Sequence, residues 1–119
     1  MVSLAGYPRI DPRHLAVFSS RTMRTLLRTR MHFGGVIISD DMGAAAAVAS
    51  LSPAARAISF LHAGGDMILS DSLPAAATMD AAVLSKMKRD PAFRSDVDSA
   101  VMHTLVAKQT YGLLPCPAG

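Results

Sequence analysis

Tryptophan is absent from this 119-residue chain, and cysteine occurs once. One cysteine excludes an internal disulfide framework. Cys116 lies in Leu114-Pro115-Cys116-Pro117, a tail context with no partner motif, and reads as a bystander. Aromatics make up only 5% of the residues. The core must therefore come from Ala, Leu, Val, Ile and the eight methionines, an adaptable filler that specifies packing loosely. No apolar run approaches the ~20 residues of a membrane span. Met1 leads into a short apolar run, not into a charged segment followed by a long apolar one, so no signal peptide is expected. As written, the chain reads as soluble and cytoplasmic. A Gly-rich phosphate loop is also missing, and no cofactor or metal is expected.

Charge of one sign is not concentrated either. The net charge is +3, with a pI near 9.5, and the basic residues form no single run. The densest patch is Arg21, Arg24, Arg28 and Arg30. It fits a phosphate-binding face or the solvated side of an amphipathic helix with Met23, Leu26 and Leu27 turned inward. No aromatics or glycines interleave with the arginines. The second reading is preferred, and no nucleic-acid partner is expected.

What is present is an α/β pattern. Met1 to Ala5 reads as a short strand, followed by a loop punctuated by Pro8 and Pro12. Ser19 or Ser20 can cap a helix running to about Arg30. Val36 to Ser39 is a β-branched strand, and Met42 to about Ala49 reads as a short helix. Ser52 and Pro53 open a further helix that Gly64-Gly65 stops. Asp66 to Ser70 is the next strand. A helix from about Ala75 to Lys88 follows, and Asp90-Pro91 begins the last one, to about Tyr111. There Phe93, Val97, Val101 and Leu105 form one apolar stripe. Strands alternating with helices argue for parallel pairing. Three strands are too few for a closed barrel of eight strands and about 250 residues, so the chain reads like a piece.

The most pointed feature is Gly35-Val36-Ile37-Ile38-Ser39-Asp40-Asp41-Met42-Gly43. An apolar strand ends in two adjacent carboxylates, where α/β folds place catalytic and ligand groups. The residues alone allow a nucleophile, or a Mg²⁺ or phosphate site using Asp40 and Asp41, with Asp71 at a second strand end. They also allow a non-catalytic interaction module with an open sheet edge. His14, His32, His62 and His103 lie in helix or connector contexts and read as surface or packing residues.

Val36 to Gly43 resembles the nucleophile motif of family 3 glycoside hydrolases, in the bacterial β-N-acetylhexosaminidase branch. Met1 to Pro8, Leu26-Leu27-Arg28 with Phe33-Gly34-Gly35, Ala63-Gly64-Gly65-Asp66-Met67-Ile68-Leu69, and Asp90-Pro91 with Gly112-Leu113-Leu114 resemble the family's surrounding text in order and spacing. The resemblance implies a partial (β/α)₈ TIM barrel. Residues 1–114 would be the C-terminal portion of the catalytic barrel, about its last three βα units plus a closing helix, and 115–119 a flexible tail. It implies that Asp40 is the nucleophile of retaining hydrolysis of terminal β-linked N-acetylglucosamine, with Ser39 and Asp41 structural near the site. The acid/base His and the sugar-holding Lys-His pair would belong to sequence ahead of Met1, leaving the chain inert alone. Some relatives carry His in the segment matching Leu4 and Gly6, where this chain is apolar. A complementary N-terminal barrel fragment, or self-association, would then cover Val36, Ile38, Met67 and Leu69.

Overall fold

The computed structural model describes residues 1–114; the expected tail 115–119, with Cys116, lies outside them. Two parallel strands, β1 (Ile38–Asp41) and β2 (Met67–Leu69), form the sheet. Val2 adds a single parallel bridge to Ser39 on the other side of β1. The expected first strand is thus reduced to one bridge: Val2 N–H donates to Ile38 O at 2.8 Å, and Asp40 N–H to Val2 O at 3.0 Å. All three segments are parallel, as the alternation predicts.

Three α-helices pack on one face of this sheet. Helix α1 (Pro53–Ala63) is capped by Ser52, whose side chain accepts Ala55 N–H at 3.2 Å. It stops at Gly64, where φ is +104° and a side chain would be strained. Helix α2 (Leu73–Met87) starts at Ser72, and α3 (Pro91–Thr110) at Asp90, which accepts Phe93 N–H at 3.0 Å. Each helix has proline in its first turn and a Ser or Asp cap, the pattern that made these starts readable.

Two expected helices differ. Arg21–Arg30 is helical but wound as a π-helix, and Met31 N–H donates to Leu26 O, five residues back, at 3.0 Å. Met23 is fully buried on it, as the amphipathic reading requires. Two of its arginines, Arg24 and Arg28, are not merely solvated, however. Arg24 donates to Asp96 at 2.7 Å and to His62 O at 2.9 Å. Arg28 pairs with the buried Asp66 and with the carbonyls of Phe33 and Gly35. The second difference is the Ala-rich run after Asp41, which makes only one 3₁₀ turn, Ala46–Val48. Alanine favours helix, but a segment this short is marginal without tertiary support, and here its backbone groups bond elsewhere.

The core lies between the sheet and the helices. Ile37, Met42, Phe60, Phe93, Met23 and Val17 are fully buried there or nearly so. On β2 only Ile68 packs against it. Met67 and Leu69 point the other way and are 38% and 45% exposed. The stripe on α3 divides similarly: Phe93 and Val97 are buried, while Val101 and Leu105 are exposed.

Candidate active site

The site is built by an irregularity at the C-terminal end of β1. Ile38 faces Met67 and Asp41 faces Leu69, so β1 advances three residues while β2 advances two. Such an extra residue bends a strand and re-aims its side chains. The ladder is completed by a side chain: the fully buried Ser39 accepts Leu69 N–H on its hydroxyl at 2.9 Å. Beyond the irregularity Met42 N–H returns to Leu69 O at 2.9 Å. Ser39 is therefore a structural neighbour of the site whose hydroxyl substitutes for a backbone acceptor.

The two carboxylates have different occupations. Asp41 Oδ1 accepts Gly43 N–H at 2.8 Å and Asp71 N–H at 3.0 Å, while Oδ2 accepts Ala44 N–H at 3.2 Å. The N–H of Gly43 and then that of Asp71 hold its carboxyl below the ordinary aspartate range. The two loops it bridges are in close contact. A Cβ on Gly43 would lie 2.5 Å from Ser70 Oγ and 2.7 Å from Asp71 Oδ1, which is why glycine is needed there. Asp40 is half-buried, and among the described residues its Oδ1 accepts only its neighbour's backbone, Asp41 N–H at 2.8 Å. Asp40 thus keeps acceptor capacity for chemistry. Asp41 has spent its oxygens on the fold, which makes the paired Mg²⁺ reading a poor fit: the second ligand is already engaged. Among the described residues no three His, Cys, Asp or Glu side chains converge as a metal set.

Two side chains that sequence reasoning missed, Arg56 and Asp66, hold this frame, and a third, Asp11, holds the loop before the π-helix. Arg56 is buried, and its guanidinium donates to four backbone carbonyls of the loop after β1. Asp66 anchors the opposite end of β1, accepting Ile37 N–H at 2.6 Å, His103 Nδ1 at 2.8 Å and Arg28. Asp11 is buried in the loop before the π-helix and accepts from Arg13 N–H, Ser19 Oγ and His14 Nδ1. Those bonds, the Arg13 amide foremost, hold its carboxyl far below the ordinary range. A charge standing inside an apolar stripe, as Arg56 does between Ala55 and Ala57, was the available signal.

The histidines are also more committed than their contexts suggested. His14 pairs with Asp11, His62 with Asp96 at 2.8 Å and His103 with Asp66. None of the three is hydrogen-bonded to Asp40. His32 instead occupies a left-handed seat at φ 51° after the π-helix. No helix among the described residues is long and apolar enough to cross a membrane.

Comparison with known proteins places this frame. Residues 1–106 match the model of the glycosyl hydrolase family 3 N-terminal domain. A β-hexosaminidase of Methylococcus capsulatus is 44% identical over 70 residues, 59% of this chain and 21% of that protein. One from Pseudomonas aeruginosa is 39% identical over 88 residues, 74% of this chain and 26% of that protein. The crystal structure of a β-N-acetylhexosaminidase from Beutenbergia cavernae superposes with a TM-score of 0.86 at 42% identity, covering 90% of this chain and 32% of that one. The chain therefore spans about a fifth to a third of the length of these relatives. One expectation is corrected: the matching model is that of the family's N-terminal domain, so the C-terminal placement does not hold. Motifs such as Ser39-Asp40-Asp41 identify a family but carry no information on what flanks the domain that holds them. By the match over residues 1–106, the chain belongs to glycosyl hydrolase family 3.

Proposed function

We propose that Asp40 is the nucleophile of a retaining family 3 glycosidase whose substrate carries terminal β-linked N-acetylglucosamine, as in peptidoglycan fragments. The observation that carries the reading is the unequal engagement of the two strand-end carboxylates. Asp41 is bound by three backbone amides, while Asp40 accepts one and sits at the strand's C-terminal end. The relatives' names, β-hexosaminidase and β-N-acetylhexosaminidase, support the substrate class.

In this mechanism an Asp40 oxygen attacks the anomeric carbon as the leaving oxygen is protonated. A covalent glycosyl-enzyme forms, and water hydrolyses it with retention. A proton donor must stand on the other side of the scissile bond. His14, His62 and His103 are each tied to an Asp away from Asp40, so the donor is assigned to other parts of the longer family proteins. The sheet is read in the same way. Three parallel segments with one open face support residues 1–114 as one portion of a (β/α)₈ barrel, closed by a complementary segment.

The test is a graft. Residues 1–114 replace the matching segment of the Beutenbergia enzyme, and turnover of a chromogenic N-acetyl-β-glucosaminide is measured. The graft should turn over, Asp40→Asn should lose at least about 10³-fold in kcat, and the 119-residue chain alone should be inert. A fully active Asp40→Asn graft would remove the nucleophile assignment.

A further inference from the structure

We propose that Arg56 is the positioning residue for Asp40, acting through the loop that follows β1; this rests on the reading of Asp40 as nucleophile. Arg56 lies in α1 and is 7% exposed. Its Nε donates to Val48 O at 3.0 Å and Leu51 O at 2.8 Å. Its Nη1 donates to Met42 O at 2.9 Å and Gly43 O at 2.8 Å. Every one of these bonds goes to a backbone carbonyl, and none to a carboxylate. Burying a guanidinium without a counter-ion is costly. What it supplies in return is a rigid fork of donors, which the ammonium of lysine cannot reproduce.

The loop needs such a donor. Met42 and Gly43 carry no polar side chain to serve their own carbonyls, which Arg56 satisfies from outside the loop. The bonds then form a relay to the carboxylate. Arg56 grips the Gly43 peptide by its carbonyl side, and Asp41 Oδ1 grips Gly43 by its N–H at 2.8 Å. That fixes the Asp41 backbone, whose N–H is the group holding Asp40 Oδ1 at 2.8 Å. Met42 O, bonded to Arg56, belongs to the same stretch whose N–H is tied to Leu69 O. If the loop is released, the hydrogen bond that Asp41 N–H gives the nucleophile is released with it.

Amide exchange in the 119-residue chain tests the relay without reference to catalysis. Arg56→Met should speed exchange of the Gly43 and Ala44 amides roughly ten- to a hundredfold, with Arg56→Lys intermediate. The Phe60 and Ile37 amides should keep their parent rates. In the graft, Arg56→Met should lower kcat with KM little changed, and Arg56→Lys should restore part of it. Unprotected Gly43 and Ala44 amides in the parent chain, unchanged rates in the variants, or an equal loss across α1 and β1 would each overturn the proposal. So would a graft in which Arg56→Met keeps full kcat while Asp40→Asn loses it. If Asp40→Asn stays active while the exchange results hold, the nucleophile reading fails and the loop relay stands.

Discussion

The two faces of the β1–β2 sheet are built from adjacent residues and differ in nearly every physical respect. One face carries Ile37, Ser39 and Ile68 against Phe60, Phe93 and Met23, with Ser39 itself completing the ladder. The other carries Ile38, Asp40, Met67 and Leu69 and is partly open. The period-2 alternation of strands sorts them. The first face holds the structure together. The second carries Asp40, the less engaged of the two carboxylates. The irregularity at Asp40–Asp41 lies between these roles, turning one acid toward the fold and leaving the other available.

The comparison would break first at its packed face. Phe60 is fully buried between α1 and the sheet, so Phe60→Ala should cost about 3–5 kcal/mol. Chemical denaturation followed by circular dichroism would measure it. A cost below about 1 kcal/mol would mean that the helix-covered face is not the seat of stability.

The next effect separates the two acids. Asp41 caps the loop by accepting Gly43 and Ala44 N–H, so Asp41→Ala should cost about 0.5–2 kcal/mol, while Asp40→Ala should stay within about 0.5 kcal/mol. The pH dependence has a definite sign. Asp41's folded carboxyl is held below its ordinary value, so its contribution is present above the unfolded value, about 4, and is lost as pH falls through the depressed one. The thermal midpoint of Asp41→Asn should therefore fall less steeply below pH 4 than that of the parent. Identical acid limbs would show that the capping bonds do not favour the ionised form.

Legibility followed local chemistry. The starts of α1, α2 and α3 were readable because Ser52, Ser72 and Asp90 each precede a proline in the first turn. The alternation gave parallel strands, and the motif gave the family. What could not be read depends on residues distant in sequence. β1 runs over Ile38–Asp41, not Val36–Ser39, because its pairing is set by Leu69 and Met67, about thirty positions away. The run after Asp41 is not the expected helix because Arg56 takes its carbonyls and Asp41 its amides. The histidines looked idle because their partners, Asp66 for His103 and Asp96 for His62, lie more than thirty residues away.

The smallest effect on stability belongs to the open face, and it sharpens the comparison most. Met67 and Leu69 are 38% and 45% exposed, so shortening them leaves no cavity. Met67→Thr with Leu69→Thr introduces β-branched residues, which strands favour, and should change the unfolding free energy by less than about 0.5 kcal/mol for each site. Self-association should respond much more strongly. β2 presents an unpaired edge beside this apolar surface, the combination that templates pairing with another chain. Sedimentation of the parent chain should therefore show concentration-dependent oligomers that the double variant lacks. A monomeric parent would separate openness from stickiness on this face. An oligomeric variant would move the contact to the exposed half of α3, where Val101, Met102, Leu105 and Val106 stand clear of the core.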